Sequence, residues 1–490
     1  MSDAIFLGQS EKREELFLAM ANRHGLVTGA TGTGKTVTLQ IMAEGFSNAG
    51  VPVFAADVKG DLAGVAMEGE PIDALVERAR KMGFEDYGFA ATPTIFWDLF
   101  GELGHPVRTT VSDMGPLMLS RLMGLSDAQE GALNIAFRLA DKEGLALLDL
   151  KDLRALLKDL GERGKELTTE YGNLAAATIG AIQRRLVVIE EQGGNMFFGE
   201  PALDINDFMR TANNGKGYMN ILAAQRLINS PQLYATFLLW MLSELFERMP
   251  EVGDREKPKM VFFFDEAHLL FADAPPGLVQ KIEQTVKLIR SKGVGIYFVT
   301  QNPLDVPEAV LAQTGNRVQH ALRAYTPREQ KAVATAASTF RPNPAFSTAE
   351  AITQLGKGEA LVSVLDPKGV PTMVERTMIR PPSSRMGPIT PEERQKLIHN
   401  SPVFGDYEEA DDRESAYEIL TRRAEERAEA AARDQAEKAA RIEERKQQSS
   451  APRASSRESA TDRFVKNLAG TAGRQIGNMI IRGILGGLKR

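Results

Sequence analysis

The run Gly25-Leu-Val-Thr-Gly-Ala-Thr-Gly-Thr-Gly-Lys-Thr36 constrains the fold more than any other stretch of the chain. A short apolar, β-branched segment enters a glycine-rich turn, and Val37, Leu39, Ile41, Met42 and Phe46 follow at helical spacing. Gly29, Ala30, Thr31, Gly32, Thr33, Gly34, Lys35 and Thr36 fit G-x-x-x-x-G-K-[ST] at every position. The chemistry follows from the residue types. Glycines let the backbone wrap an anion with its N–H groups, and a helix N-terminus favours negative charge. Lys35 supplies a point charge for the β/γ oxygens of a nucleotide, and Thr36 offers a hydroxyl to Mg²⁺. The bland alternative is a chance glycine turn before a helix. A partner segment farther along the chain weighs against it.

That partner is Val261-Phe-Phe-Phe-Asp265-Glu266-Ala-His268, an apolar strand that ends in two acids. Beside a phosphate loop, Asp265 is expected in the Mg²⁺ shell and Glu266 is expected to polarise the attacking water. Alone, the segment would read equally well as a strand ending in a solvated turn. His268 could relay nucleotide state or be a structural histidine. The strand Gly295-Ile-Tyr-Phe-Val-Thr-Gln301 ends in an amide placed to sense the γ-phosphate, unless Gln301 is merely a polar strand end. Asp57 and Lys59 close a further apolar segment, as site residues or as an ordinary Lys-Gly-Asp turn. Arg290, Arg317 and Arg323 are candidates for the positive charge that phosphoryl transfer needs; surface ion pairing is the alternative for each.

Composition narrows the function classes. The 490 residues include no cysteine, which excludes disulfide scaffolds, Cys-ligated zinc, Fe–S clusters and thiol catalysis. The 5 histidines are scattered, which argues against a histidine metal cluster. With 43% hydrophobic residues the chain can bury a large core, and a net charge of −6 does not suit a bulk-basic nucleic-acid binder. The N-terminus lacks the pattern of a signal peptide. No apolar run approaches the roughly 18 residues of a membrane span. A cytoplasmic protein is expected.

Apolar segments at 25–28, 51–56, 218–223, 260–264, 295–300, 317–322 and 359–364 alternate with helical patterns such as 231–248 and 278–291. This predicts an α/β fold with a parallel sheet covered on both faces. Residues 107–210 are Leu/Ala-rich and read as a helical insertion, with Ser126-Asp-Ala-Gln129 as a capping box. The expected organisation is a core in two parts, 1–106 and 211–385, split by that insertion. A charged helical extension (386–448), a flexible linker (449–462) and a basic tail (463–490) follow. The tail puts Val465, Leu468, Ile476, Ile480 and Ile484 roughly on one face and carries six basic residues and no acid.

The phosphate loop, the Asp265-Glu266 pair and Arg290-Ser-Lys-Gly-Val-Gly-Ile-Tyr-Phe-Val-Thr-Gln301 together resemble the HerA/FtsK superfamily of P-loop ATPases. The segment Asp305-Val-Pro through Leu-Ala-Gln-Thr-Gly-Asn-Arg317-Val is similar to that superfamily's run from sensor to arginine finger. The arrangement looks closest to the bacterial HerA-like branch and covers about residues 1–385. The resemblance implies a RecA-like P-loop core that binds ATP and Mg²⁺ and forms a ring, often a hexamer, that moves along DNA. It implies Thr36 and Asp265 at the metal, Glu266 as base, Gln301 as sensor and Arg317 as a finger given to a neighbouring subunit. The N-terminal β-barrel of HerA helicases has no counterpart in the 28 residues before Gly29. Nor is there a match to the membrane anchor or the winged helix of FtsK.

Two functions are therefore expected. The first is an ATP-driven DNA helicase or translocase. The second is a regulatory or assembly ATPase acting on protein partners. The tail could add a peripheral membrane contact or a nucleic-acid contact, or could pack on the protein itself.

Overall fold

A computed structural model describes residues 3–449 apart from Asn173, Asp254, Asp273 and Pro275. The tail expected at 463–490 and nearly all of the linker lie outside the described residues. The strands are β1 (Ala4–Gln9), β2 (Arg13–Phe17), β3 (Gly25–Thr28), β4 (Val53–Asp57), β5 (Thr94–Asp98) and β6 (His105–Pro106). They continue with β7 (Met219–Ala223), β8 (Met260–Phe264), β9 (Val294–Thr300), β10 (Asn316–Gln319), β11 (Glu359–Ser363) and β12 (Glu375–Ile379).

All twelve join one sheet in the order β2-β1-β12-β11-β10-β3-β9-β8-β4-β7-β5-β6. From β10 to β6 every neighbouring pair is parallel. The β3 strand feeds the phosphate loop and is separated by β9 alone from β8, the strand that leads to Asp265 and Glu266. This is the RecA-like P-loop arrangement. It sets the C-terminal ends of β3, β8, β9 and β4 side by side, where open parallel sheets place their ligands.

The sheet is not parallel throughout. β11 runs antiparallel to β10, and β12, β1 and β2 extend it antiparallel. The N-terminal strands and β12 were not among the segments expected from the sequence. Their pattern is a half-buried alternation, as in β2, rather than a continuous apolar run. The β5 segment, Thr-Ile-Phe-Trp-Asp, is fully buried but short.

The central strands alternate their side chains between two cores. Phe262, Phe264, Ile296 and Phe298 face a large core shared with helices Val111–Met123, Asp127–Glu143, Leu150–Glu162 and Pro231–Arg248. Val261, Phe263, Tyr297 and Val299 face the other core, against helix Lys35–Asn48. Several of the helices between β6 and β7 start at side-chain caps. The Ser126–Gln129 capping box opens one, and Asp149 with Asp152 opens the next.

The first compact unit runs to Arg422. Residues 386–422 belong to this unit. Their anchors are apolar and sparse among charges. Val403 and Tyr407 are buried, the Tyr407 ring packs edge-on to Trp97, and the Arg394 guanidinium lies over the Phe96 ring, 4.5 Å from its centre. The helix Ala416–Ser449 begins with buried Ala416 and Leu420. From Arg423 on it belongs to the second unit, whose side chains described in the helix are nearly all exposed and include Asp434–Lys438 and Glu437–Arg441 ion pairs.

Candidate active site

Gly29–Thr36 forms the turn between β3 and helix Lys35–Asn48, and its shape is fixed from behind by His320. A Cβ on Gly29 would sit 2.5 Å from His320 Cβ, and Gly32 has a φ of +79°, so neither position suits a side chain. Ala30 N–H donates to Ala321 O (2.8 Å), which ties the loop to the chain just after β10. The Lys35 ammonium is buried and donates to Gly29 O (2.8 Å) and Ala30 O (3.2 Å). Burial lowers its pKa, and the negative charge of Glu266 partly opposes this.

Three strand ends face this loop. Asp265 and Glu266 follow β8. Burial, reinforced by the Glu266 charge, pushes the Asp265 carboxyl up to about 7. Glu266 has a left-handed backbone (φ 47°, ψ 49°), a conformation that costs a non-glycine residue on the order of 1 kcal/mol. Among the described residues only His24 shares this sign of φ without being glycine. The strained turn aims the Glu266 carboxylate at Gln301, which follows β9. Gln301 Nε2 donates to both Glu266 oxygens (3.2 and 3.3 Å), and Gln301 Oε1 accepts from Thr31 Oγ1 in the phosphate loop (3.2 Å). His268 Nδ1 lies 3.3 Å from Glu266 Oε2.

The third strand end is β4. Asp57 accepts from Gly60 N–H (2.7 Å) and Leu62 N–H (3.2 Å), folding residues 57–62 into a fixed turn. Burial pushes the Asp57 carboxyl up to about 6, with the Asp61 charge adding to it. The turn presents Lys59, which pairs with Glu266, and Asp61, whose Oδ2 lies 3.5 Å from Thr36 Oγ1. Burial alone would raise the Glu266 pKa. The Lys59 pair outweighs that and holds it below the usual carboxylate value.

The structure therefore brings together Lys35, Thr36, Asp265, Glu266, Gln301 and Thr31. It does not bring Arg317 to them. Arg317 lies within β10, opposite Leu26 of β3. Its guanidinium donates to Leu311 O (3.0 Å), Thr314 O (3.1 Å) and Thr339 O (3.3 Å), carbonyls at the C-terminal ends of two helices. Arg323 instead lines a cavity of about 320 Å³ with Ala30, Thr31, Gln301 and Asn302.

Two members of the site had no assigned role in the sequence. Asp61 is one, although the Asp57-Val-Lys-Gly-Asp61 string at a strand end marks it. The other is His320, which no motif marks.

The donor set fits a magnesium nucleotide. Thr36 Oγ1, Asp61 and Asp265 would offer hard oxygen donors at the edge of an anion-binding loop. Asp61 Oδ1 is buried without a hydrogen-bond partner. A cation at Asp265 would replace the proton that burial favours.

Solved structures align with this chain. The bacterial conjugative coupling protein TrwBdeltaN70, in a trigonal form with sulphate, aligns with a TM-score of 0.51 at 14% identity, over 79% of this chain and 92% of that one. VirB4 of Thermoanaerobacter pseudethanolicus gives 0.48 at 15% identity, over 80% and 98%. The plasmid coupling protein TrwB in complex with ADP and Mg²⁺ gives 0.47 at 15%, over 75% and 88%. No curated protein matches the chain. The sequence model of the helicase HerA-like C-terminal family matches residues 4–490, and the chain belongs to that family.

Proposed function

We propose that this protein hydrolyses ATP with Mg²⁺ and uses the energy to move along DNA as a ring-forming oligomer, a hexamer by family analogy. The observation that carries hydrolysis is the Gln301 bridge. One amide links the phosphate loop, through Thr31, to the carboxylate of Glu266. Phosphoryl transfer to water needs an anion-binding loop with a base held beside it, and here one amide holds the two together.

In this mechanism the backbone N–H groups of Gly29–Thr36 and the Lys35 ammonium hold the phosphates. Thr36, Asp61 and Asp265 would hold the metal, which when bound neutralises charge on the phosphate oxygens. Glu266 orients a water and takes its proton, and Gln301 keeps that carboxylate aligned with the loop. Arg317 serves a neighbouring copy's phosphate, for which it must release its three carbonyl partners. Family membership supports the motor function. So do the conjugative coupling proteins of the same fold. The use of ATP supports a cytoplasmic site of action.

The test is ATP turnover with and without single- and double-stranded DNA, with Lys35→Ala as the blank. Removing the Lys35 charge is expected to cut turnover at least about 100-fold, and DNA is expected to raise the wild-type rate. Turnover indifferent to DNA would remove the motor and leave the ATPase. Absence of turnover under all conditions would remove both.

A further inference from the structure

We propose that Lys59 is a positioning residue that restrains Glu266 between turnovers and releases it when a triphosphate arrives. This deepens the ATPase function proposed above and rests on it. The starting point is the occupancy of the Glu266 carboxylate. An ionised carboxylate offers about four acceptor positions. Here Oε1 receives Lys59 Nζ and Gln301 Nε2, Oε2 receives the same Gln301 Nε2, and His268 Nδ1 lies 3.3 Å from Oε2. The ammonium occupies an acceptor position and neutralises the carboxylate charge, so Glu266 draws a water proton weakly while Lys59 stays paired. The base gains strength when that donor leaves.

Lys59 is the donor built to leave. The Glu266 side chain is only 4% exposed, whereas Lys59 is 41% exposed and hangs on a flexible stem. Gln301 is tethered at both ends, to Thr31 and to Glu266. The turn that carries Lys59 does not itself move easily. Asp57 pins it through Gly60 and Leu62, and Gln225 packs against Gly60, where a Cβ would sit 2.7 Å from the Gln225 amide nitrogen. The response is therefore confined to the Lys59 side chain.

The same turn places Asp61 next to Thr36, so Lys59 stands at the phosphate edge of the site as well as at the base. A γ-phosphate there presents more negative charge than one carboxylate and draws the ammonium away. Glu266 then keeps Gln301 and gains a free acceptor position for water. Lys59 thus ties the activity of the base to the presence of the triphosphate.

Two measurements on the full-length protein test this. In steady-state ATPase assays without DNA, Lys59→Met is expected to raise kcat about threefold to tenfold with KM changed less than about twofold. DNA stimulation should shrink by the same factor. Lys59→Arg can still pair with Glu266 and is expected to stay near wild type. An unchanged kcat in Lys59→Met, or a loss of more than about tenfold, would overturn the proposal; the loss would mean that Lys59 acts on the phosphate itself.

The second measurement does not depend on turnover. Labelling by an amine-reactive ester, mapped by mass spectrometry against exposed Lys331, reports whether Lys59 is held. Lys59 should label about fivefold faster in Glu266→Gln than in the wild type. Equal rates in the two proteins would overturn the proposal. A wild type without turnover would refute hydrolysis, and the labelling ratio would still decide whether Lys59 restrains Glu266.

Discussion

Behind the phosphate loop, His320 is fully buried, and each of its ring nitrogens has one partner. Nδ1 donates to Glu359 O (3.0 Å), so Nε2 must accept from the Thr38 hydroxyl (2.8 Å). Burial keeps this ring neutral, with its pKa pushed down to about 4. In front of the loop, Glu266 sits on a strained backbone and meets two donors from different segments, Lys59 and Gln301, with His268 Nδ1 3.3 Å away. The back is one neutral, saturated arrangement that fixes shape. The front is charged and partly exposed, so that it can rearrange around a ligand. Rigidity and reactivity are thus assigned to opposite sides of eight residues, and each side should respond to substitution in its own way.

The largest contrast is between Glu266→Gln and His320→Ala. The front substitution removes the base and is expected to lower turnover about 10³-fold, with the melting temperature unchanged or raised. The back substitution leaves a cavity and deprives Thr38 and Glu359 O of their partner. It should cost about 3 kcal/mol of stability, with loss of nucleotide affinity following from a looser loop. Thermal melts and single-turnover rates on both variants check this. If His320→Ala kept full stability and lost only catalysis, the division between the two sides would fail.

Titration sharpens the contrast because the two sides carry opposite signs. His320 has a folded pKa near 4 against the ordinary 6.5. Its contribution to stability is complete above pH 6.5 and is lost as pH falls from there towards 4. Asp265 has a folded pKa near 7 against 3.8. Its folded form favours the proton, so ionisation destabilises the fold as pH rises from about 4 through 7. Asp265→Asn mimics the protonated acid. It is therefore expected to stabilise the protein at pH 8 by on the order of 3 kcal/mol, with the gain shrinking to nothing near pH 4. Denaturant titrations of wild type and variant between pH 5 and pH 8 measure the slope directly. A gain independent of pH would show that Asp265 is not held in its protonated form by burial.

The front of the site was legible in the sequence and the back was not, for a physical reason. Lys35 and Thr36 open the helix after the glycine turn, and Asp265, Glu266 and Gln301 follow strand ends, where a polar residue after an apolar run stands out. The parallel order of β3, β9 and β8 then brings the ends together. His320 also follows a strand, but it acts through its Cβ against Gly29, its ring against Gly34 and a hydrogen bond to a carbonyl of β11. None of these contacts has a local spacing to detect. The Lys59 pair was half visible: the turn was seen, but its partner lies more than two hundred residues away. Arg317 shows the converse limit. Its place after the sensor strand matches the superfamily's pattern, while its carbonyl partners come from two helix ends that only the fold brings near. In the sheet, the parallel strands β3, β4, β7, β8, β9 and β10 were readable from continuous apolar runs, whereas the short β5 and β6 were not. The half-exposed flank of β1, β2 and β12 was not, because its alternation is short and interrupted.

The smallest effect should come from Thr31, whose hydroxyl joins the loop to the front by a hydrogen bond to Gln301. The bond is solvent-exposed, and an exposed neutral hydrogen bond contributes at most about 1 kcal/mol. Thr31→Val keeps the side-chain volume and removes the hydroxyl. Turnover is expected to fall about threefold, with stability within about 0.5 kcal/mol of wild type. The two Gln301–Glu266 contacts remain in that variant, so the base stays aligned and only the link to the loop is lost. Rapid-quench measurement of the hydrolysis step, with melts on the same samples, separates the two effects. A loss as large as that of Glu266→Gln would mean that the Thr31 link, rather than the base, carries the alignment of the front.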